Sequence, residues 1–442
     1  MIRPWRSGTA AAACLTAAAV AAAGCTPSIK PVEIASPGVT ASGTIEFWHF
    51  FTDREADAIQ KVVNQFQAQF PQVKVIVKSG QDDSKTTQSI AAGQGPDVAL
   101  SGSTDSVGKF CSTGAWQDLT PYITRDKVDM TDIPQVAQDY TAYQGKRCTM
   151  PLLADAYGLY YNKKLFAAAG ITSPPKTFSE LTADAKKLTQ KTANGNLKVA
   201  GFDPLSGFYE NSIAHFATMA GAKWLTPDGK SAVGSDPAWK DLLTWQKNLV
   251  DWYGYDRINK FQSTFGDEGS ADNAFEKGQV AMNIDGEWRI AAIGADNPKD
   301  LDWGVAPLPV SDSRTDAYGS GFLSGNVIGI SKNSRNPEAA WQFIKFLSTN
   351  TDSVVSLANE IKNVPTLLSA SKSPNLSLDP NFKVFLDVFA NPRSAAAPLS
   401  AAGTAYQDTG QDFINDWQAG KVKDLDAGLK KLDDNINQAL GG

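Results

Sequence analysis

The chain has 442 residues, and its 47 acidic side chains outnumber its 41 basic ones, which gives a formal net charge of −6. An acidic chain without a basic cluster argues against nucleic-acid binding, because affinity for phosphates needs clustered Lys and Arg. Two histidines and no CxxC motif leave no zinc pattern, so the sequence predicts no metal site and no cofactor. A body of about 400 residues is enough for two domains or one large two-lobed unit.

Residues 1–24 have the pattern of a secretory signal peptide. Arg3 and Arg6 precede a weakly apolar, alanine-rich run, which is too short to span a membrane. The segment Ala-Ala-Gly-Cys that ends at Cys25 resembles a bacterial lipobox, whose cysteine becomes lipid-modified; the alternative is an ordinary signal peptide with a cysteine nearby. The Pro-, Ser- and Ala-rich segment 25–42 is typical of a flexible tether. We therefore expect an extracytoplasmic protein, anchored to the outer face of the cytoplasmic membrane by a lipid on Cys25.

Two cysteines are left for the body once Cys14 leaves with the signal peptide and Cys25 is lipid-modified. Cys111 and Cys148 are 37 residues apart. Outside the cytoplasm, an even pair of cysteines is typical of a disulfide. We therefore predict a disulfide between Cys111 and Cys148.

Strand and helix patterns alternate over the first part of the body. Residues 44–48, 73–77 and 97–100 have strand patterns, and residues 53–70 and 84–92 have helical ones. This alternation predicts a parallel sheet with helices on both faces. In such a sheet, ligands bind beyond the carboxyl ends of the strands. Candidate ligand contacts therefore lie in the loops after the three strands, at residues 49–53, 79–83 and 101–105.

The segment 145–170 is the predicted passage from one lobe to another. A short strand over 148–151 closes the first part, and a buried aromatic strand follows at 159–161. Asp155 and Tyr157 lie between them, in extended chain among apolar residues. Two interpretations stand: a carboxylate and a tyrosine that contact a ligand in a cleft, or a buried Asp with satisfied hydrogen bonds beside a core Tyr.

The rest of the chain is predicted to be mainly helical, with a few strands. Helical patterns cover residues 178–191, 209–219, 237–253, 337–347, 382–389, 402–418 and 425–440, and strand patterns cover 280–284, 303–310 and 319–330. The polar residues 311–318 are a candidate second passage between lobes. No internal repeat of fixed period occurs.

Motifs for nucleotide binding and serine catalysis are missing, since the chain contains no GxGxxG, GxxxxGK[ST] or GxSxG pattern. Asp285 and Glu287 are two residues apart, whereas the two carboxylates of a glycosidase normally come from separate elements. The run Asp285, Gly286, Glu287 and Trp288 suits a sugar site better. Carboxylates accept hydrogen bonds from hydroxyl groups, and an indole packs on the C–H face of a sugar ring. The alternative is a core Trp288 with both acids in solvent.

Several segments together resemble a known family through their order and spacing. They are the strand 44–48, Gly-Pro-Asp-Val at 95–98, residues 151–166, Phe-Glu-Lys-Gly-Gln-Val-Ala-Met at 275–282, Trp-Gly-Val-Ala-Pro-Leu-Pro at 303–309, and Asn-Pro-Glu-Ala-Ala-Trp-Gln-Phe-Ile-Lys-Phe-Leu at 336–347. They resemble the carbohydrate-binding, extracellular solute-binding proteins of ATP-binding-cassette importers, the family that includes maltose-binding proteins. The resemblance covers residues 43–442.

The resemblance implies an α/β fold of the periplasmic-binding-protein type. Each of its two lobes is a mostly parallel sheet flanked by helices, and the ligand lies in the cleft between them. Residues 43–151 with 319–362 then form lobe 1, and residues 152–318 with 363–442 form lobe 2. The resemblance also implies a monomer that is not an enzyme and that has membrane permease subunits as partners. One function of another class stays open, an extracytoplasmic carbohydrate-active enzyme or sensor on the same scaffold.

The resemblance implies a ligand site made of loop and strand-end residues from both lobes: His49, Asp53, Asp82, Ser103, Asp105, Asp155, Tyr157, Tyr209, Glu210, Asn211, Asp285, Glu287, Trp288, Ser320, Gly321, Asn363 and Arg393. The chain has more carboxylates near this cleft than many sugar binders, and an isolated buried carboxylate is costly. This favours a neutral or amino sugar, mono- or oligosaccharide, over a phosphorylated ligand. Arg393 keeps a glycerophosphodiester or polyol ligand open.

Overall fold

The computed structural model of the protein describes residues 34–36 and 40–441. The predicted signal peptide, Cys25 and most of the predicted tether lie outside the described residues. None of the helices in the described part of the chain has the length and apolar character that a membrane crossing requires.

Strands and helices alternate along the described residues. The strands are β1 (Gly43–Trp48), β2 (Val73–Lys78), β3 (Val98–Ser101), β4 (Met150–Asn162), β5 (Gln190–Lys191), β6 (Leu197–Phe202), β7 (Val280–Gly286), β8 (Trp303–Pro307), β9 (Leu323–Ile330) and β10 (Val364–Pro365). The helices are α1 (Asp53–Gln69), α2 (Asp83–Ala91), α3 (Val107–Ser112), α4 (Thr120–Asp126), α5 (Gln135–Asp139), α6 (Lys163–Ala168), α7 (Phe178–Leu188), α8 (Ile213–Ala220), α9 (Pro237–Tyr253), α10 (Tyr255–Gln262), α11 (Arg289–Asp296), α12 (Pro337–Thr349), α13 (Thr351–Ile361), α14 (Leu368–Ser371), α15 (Lys383–Ala390), α16 (Ala405–Gln418) and α17 (Leu425–Ala439).

The first three strands are parallel, as the strand–helix alternation predicts. β1 pairs in parallel with β2 and with β3. Helix α1 packs on this part of the sheet through Val62, Val63 and Phe66, which are fully buried. Burial of each such side chain contributes roughly 1.5–3 kcal/mol to the free energy of unfolding. Because parallel strands end at the same edge, the loops after β1, β2 and β3 lie on one side of the sheet.

Strand β4 joins two groups of strands. Its first half pairs with β9, which continues to β3, and its second half pairs with β7 and β8. Strands β6 and β5 extend the second group beyond β7. Every residue of β4 except Tyr161 is buried, which explains why its sequence is apolar without alternation.

The structure differs from the prediction around β4 in two ways. One continuous strand replaces the two short strands that the sequence predicts, because Asp155 and Tyr157 are themselves paired, with Ser324 of β9 and Gly286 of β7. The pairs with β7, β8 and β9 are antiparallel, so the sheet is mixed rather than mostly parallel. Gly158 allows β8 to lie close to β4, since a Cβ at this position would lie 2.6 Å from Cγ1 of Val305 on β8.

Helix α8 begins at Ile213, four residues after the predicted start at Tyr209. Ser212 is its N-cap, and its Oγ accepts a hydrogen bond from the backbone N–H of His215 at 3.2 Å. Tyr209 has a left-handed backbone with φ of 46°, which a helix does not accept. The chain from Tyr209 to Asn211 is therefore a turn before the helix.

The predicted disulfide between Cys111 and Cys148 is confirmed. Their Cα atoms are 5.5 Å apart, and the bridge ties helix α3 to the chain just before β4. Closing a loop of this size stabilises the folded state by roughly 3–4 kcal/mol in the chain-entropy model.

Candidate functional site

Three chain segments meet where β4 passes from its first partner strand to its second. Asp155 and Tyr157 lie on β4, Glu287 and Trp288 directly follow β7, and Asn363 directly precedes β10. Antiparallel pairing of β4 with β7 and with β10 brings these segments together. We call these five residues the junction cluster.

The carboxyl group of Glu287 is bound by the protein on both oxygens. Oε2 accepts a hydrogen bond from the backbone N–H of Ala156 at 2.9 Å, and Oε1 accepts one from Nδ2 of Asn363 at 2.9 Å. The side chain is fully buried. This burial, and then the charge of Asp155, raise the pKa of Glu287 well above its ordinary value. Glu287 therefore ties β4 to the chain before β10.

Asp155 shares a hydrogen-bond donor with Glu287, because Nδ2 of Asn363 also donates to Oδ1 of Asp155. Nδ2 of Asn326, on β9, lies 3.4 Å from the same oxygen. Burial raises the pKa of Asp155, and the charge of Glu55 raises it further, while the bond from Asn363 opposes them. The two acids are thus joined through one amide and both bind a proton more tightly than exposed acids do.

Trp288 and Tyr157 form an aromatic corner beside these acids. Their ring centroids are 5.6 Å apart with nearly perpendicular planes, and the ring of His215 lies 4.0 Å from that of Tyr157. Gly286 lets the indole fold back over the chain, since a Cβ there would overlap the ring. Tyr157 is buried, whereas Trp288 is partly exposed. The indole is therefore partly accessible, and an indole is the kind of side chain that packs on a sugar ring.

Arg289 contacts three carboxyl groups next to the junction cluster. Its buried guanidinium contacts Oδ2 of Asp285 at 2.8 Å, Oε1 of Glu276 at 3.3 Å and Oε1 of Glu268 at 3.2 Å. Burial nevertheless raises the pKa of Asp285 to about 7, against the opposing charge of Arg289. The carboxylate of Asp285 is thus engaged by Arg289 rather than free for a ligand.

Two glutamates border the aromatic corner. Oε1 of Glu268 accepts a hydrogen bond from Nε1 of Trp288 at 3.0 Å. The carboxyl group of Glu210 lies within hydrogen-bonding reach of Glu268. Burial, and then the charge of Glu268, raise the pKa of Glu210 to about 9. The predicted residue Glu210 is therefore brought to the same place as Trp288.

Sequence reasoning did not single out four residues of this region. Glu55 lies in the first turn of α1, Glu268 lies in the loop between α10 and β7, and Ser324 and Asn326 lie on β9. The hydroxyl of Ser324 is 3.1 Å from that of Tyr157. Ser324 and Asn326 are two residues apart and so share one face of the strand. Those two polar residues in a buried strand were a usable signal, whereas nothing in the sequence marks Glu55 or Glu268.

Of the two predicted site residues that follow β1, His49 lies in the core and Asp53 lies on the surface. His49 is fully buried, with its ring 5.4 Å from that of Phe47 and 6.2 Å from that of Phe51. Burial lowers the pKa of His49 to about 4, so the ring is neutral at pH 7. Asp53 is exposed at the start of α1, with φ of 46°.

The predicted residues after β2 and β3 also have partners of their own. Asp82 caps α2, because its Oδ1 accepts a hydrogen bond from the backbone N–H of Lys85 at 2.7 Å. The backbone N–H of Ser103 donates to Oγ of Ser101 at 3.1 Å. Oδ2 of Asp105 accepts a hydrogen bond from Nε2 of Gln407, on α16, at 3.0 Å. Asp105 thus connects the β3 loop to a helix that follows it by some 300 residues.

Tyr209 and Asn211 brace the turn before α8. The hydroxyl of Tyr209 donates to the carbonyl of Gly266 at 3.0 Å, and Nδ2 of Asn211 donates to the carbonyl of Asp203 at 2.6 Å. The structure uses both side chains to fix loops rather than leaving them free.

Of the last three predicted residues, Ser320 and Gly321 lie in the chain that enters β9, and Arg393 lies between α15 and α16. Oγ of Ser320 donates to the carbonyl of Ala317 at 2.7 Å, and the backbone N–H of Gly321 donates to Oγ of Ser394 at 3.0 Å. Arg393 is exposed and forms a salt bridge with Asp316 at 2.7 Å. None of the contacts that Arg393 makes with described residues involves the junction cluster.

A cavity of about 810 Å³ lies elsewhere, between α5, α14, α15 and residues 390–399. Its lining includes Tyr140, Leu386 and Phe389. It contains none of the acids that converge on Tyr157 and Trp288. The junction cluster, where a partly exposed indole meets hydrogen-bonding groups, therefore stays the candidate site.

A model of the family of bacterial extracellular solute-binding proteins matches residues 52–352. The chain belongs to this family. The matched range includes Asp155, Tyr157, Glu287 and Trp288, whereas Asn363 lies beyond it.

Individual relatives and solved structures agree with this assignment. The maltotriose-binding protein of Pyrococcus abyssi is 24% identical over 409 residues, which cover 91% of this chain and 83% of that protein. The structure of CpMnBP1 with mannotriose bound matches with a TM-score of 0.79 and 27% identity, over 89% of this chain and 99% of that one. The sugar-binding protein MalE from Xanthomonas citri matches with a TM-score of 0.75 and 23% identity, over 90% and 98% of the two chains. The predicted two-lobed α/β fold is confirmed.

Proposed function

We propose that this protein captures a mono- or oligosaccharide outside the cytoplasm and delivers it to the permease subunits of an ATP-binding-cassette importer. The observation that carries the proposal is the partly exposed indole of Trp288 beside Tyr157, Asp155 and Glu210. A sugar needs both an apolar face to pack on and acceptors for its hydroxyl groups, and this corner offers both. Relatives named for maltotriose and mannotriose binding support the same ligand class.

The proposed mechanism is closure of two lobes on the sugar. We place residues 43–151 with 319–362 in lobe 1, and residues 152–318 with 363–442 in lobe 2. β4 changes partner strands between Ala156 and Tyr157, which supports a lobe boundary within this strand. A ligand that bonds to both lobes stabilises the closed form alone, so its differential affinity drives closure. The permease then distinguishes loaded from empty protein by shape.

A phosphodiester ligand has less support than a sugar. Arg393, the cation that kept it open, is paired with Asp316 on the surface. The acids near Tyr157 would repel a phosphate at short range. The relative from Pyrococcus abyssi is named for binding maltotriose, and CpMnBP1 has mannotriose bound. We propose the same role for this chain, which is to bind a sugar without catalysis.

We also propose that the mature protein is a monomer anchored by a lipid on Cys25. Mass spectrometry of the mature N-terminus tests this directly, because acylation adds the mass of the lipid chains to Cys25. Protein with Cys25→Ala should be released from the membrane fraction. Retention of that variant on the membrane would contradict the anchor.

Thermal denaturation with mannotriose and with maltotriose tests the sugar proposal. A ligand that binds only the folded protein stabilises it by about 2.7 kcal/mol at 100 times its Kd, so Tm rises. Chromatography of the recovered sugar separates capture from catalysis, since a captured sugar returns unchanged. If no sugar raises Tm, or if the sugar returns cleaved, the proposed function is wrong.

A further inference from the structure

The acids around Tyr157 are not balanced by cations. Asp155, Glu210 and Glu287 form no salt bridge with any residue that the structure describes, while Arg289 is already shared among three other carboxylates. All three acids act on the same phenol, since their charges, after burial, raise the pKa of Tyr157. A site with this excess of negative charge favours a positively charged partner.

The clearest imbalance is between Glu210 and Glu268. Their carboxyl groups lie within hydrogen-bonding reach of each other, and the Glu210 side chain has no hydrogen-bond donor among the described residues. Glu268 already has the guanidinium of Arg289 and the indole N–H of Trp288 as donors. Two carboxylates in contact repel strongly in a partly buried site, so Glu210 needs either a proton or a cation beside it. A protonated amine has three N–H donors and bonds to two carboxylates at once.

Asn326 gives an independent sign of a missing ligand group. Its side chain is 3% exposed, and its Nδ2 faces Oδ1 of Asp155 at 3.4 Å. Its Oδ1 has no hydrogen-bond partner in the described part of the chain. Buried amide oxygens are nearly always bonded, so an N–H or O–H donor is expected next to Asp155.

A metal ion does not explain these features. Over residues 34–36 and 40–441, no group of three or more His, Cys, Asp or Glu side chains is arranged to hold a metal. Metal ligands converge on one point, whereas these acids are distributed around the rings of Tyr157 and Trp288. An organic cation with an apolar body suits that layout, because aromatic faces also attract ammonium groups.

We propose that the sugar bound at this site carries a protonated amine, and that Glu210 and Glu268 hold the ammonium group beside Trp288. The inference rests on the proposed function and names its substrate class, an amino sugar. In the empty protein Glu210 carries a proton, because burial and the charge of Glu268 raise its pKa to about 9. The ammonium group takes the place of that proton, which passes to the solvent.

Matched pairs of sugars test the proposal on the mature, lipid-free protein. The pairs are glucose and glucosamine, mannose and mannosamine, galactose and galactosamine, and cellotriose and its glucosamine counterpart, with mannotriose and maltotriose added as neutral oligosaccharides. In at least one pair the amine should bind at least about tenfold more tightly than its hydroxyl parent. Calorimetry in two buffers, below the pKa of the amine, should show about one proton released with the amine and none with the parent.

The outcomes separate this inference from the proposed function. Neutral sugars that bind as well as the amines, or that alone bind, overturn the amine and leave sugar capture standing. If no sugar of either kind binds, both the proposed function and the amine are wrong.

Glu210→Gln provides a second test, because it keeps the shape of the side chain and removes its charge. The preference for the amine over its parent should fall about tenfold, and the proton release should disappear. Glu180→Gln, a change of the same kind at an exposed position of α7, should leave both unchanged. Full preference for the amine in folded Glu210→Gln protein overturns the assignment to Glu210.

Discussion

Two groups of carboxylates in this protein have opposite electrostatic surroundings. In the first, Oδ1 of Asp126 accepts a hydrogen bond from Arg125 at 2.7 Å, and its Oδ2 accepts one from Lys345 at 2.7 Å and one from Nε1 of Trp341 at 2.9 Å. Burial alone would raise the pKa of Asp126, but these donors outweigh it and hold the pKa far below the ordinary value.

In the second group, Asp155 has other acids as its charged neighbours. Glu287 shares the amide of Asn363 with it, and Glu55 adds further negative charge. Burial and these charges raise the pKa of Asp155 rather than lowering it. An acid that serves only the fold brings its own cations, as Asp126 does. The acids of the junction cluster have amide donors but no cation among the described residues, so a proton or a cationic ligand has to balance them.

Of the changes considered, replacing Trp288 should have the largest effect. It changes the proposed ligand site and not the group around Asp126. Trp288→Ala removes the face on which the sugar packs and should weaken binding by about 2–4 kcal/mol, the size of an interface hot spot. Isothermal calorimetry on the folded variant measures this. Trp252→Ala is the control, because Trp252 is 37% exposed and lies outside the cluster. Wild-type affinity in Trp288→Ala would show that the site is elsewhere.

Replacing Asp126 should affect the fold alone. Asp126→Asn leaves Arg125 and Lys345 without their charged partner and should lower the free energy of unfolding by about 1–3 kcal/mol. Denaturant unfolding measures the change, and calorimetry should show sugar binding as in the wild type. If Asp126→Asn instead lost sugar binding and kept its stability, Asp126 would belong to the ligand site and not to the fold.

Raising the pH should destabilise the ligand-free protein through its unbalanced acids. The folded-state pKa values of Glu210, Asp155 and Glu287 lie above their unfolded values, so the stability they contribute is present at low pH and is lost as the pH rises through those values. His49 and His215, with pKa values lowered to about 4, are neutral in both states above pH 7 and add nothing there.

The expected loss of unfolding free energy between pH 7 and pH 9 is therefore about 1 kcal/mol or more. Thermal melts at the two pH values measure it, and Glu210→Gln should reduce the drop. Two results would contradict this prediction: a wild-type Tm that rises between pH 7 and pH 9, or a fall in Tm that is as large in Glu210→Gln as in the wild type. Either would show that ionisation of these acids does not destabilise the folded protein.

Replacing Glu287 should have the smallest effect and sharpens the contrast with Asp126. Glu287→Gln keeps the shape of the side chain but turns one of its two accepting oxygens into an NH₂ group that faces a donor. Because no ion pair is lost, the change should lower the free energy of unfolding by only about 1 kcal/mol. The same denaturant experiment measures both variants. A loss as large as that of Asp126→Asn would contradict this ordering of the two variants.

Local patterns in the sequence predicted much of the fold. The alternation of strands and helices predicted the parallel arrangement of β1, β2 and β3. The even pair of cysteines left in the body of an extracytoplasmic protein predicted the disulfide between Cys111 and Cys148. The run from Asp285 to Trp288 pointed to the place where β7 ends. The start of α8 was predicted too early, because the cap at Ser212 and the left-handed Tyr209 compete with the helical pattern.

The sequence by itself determined which elements form and which residues have the chemistry to bind a sugar, because helical period, strand composition and side-chain type are local properties. Only the tertiary structure decided which acids share a donor and which have a cation. Asn363 is 208 residues from Asp155 and 76 from Glu287, and it is the folding of β4, β7 and β10 onto one another that joins them. The charge state of a carboxyl group depends on its burial and on neighbours within a few ångströms, and distance along the chain does not predict either.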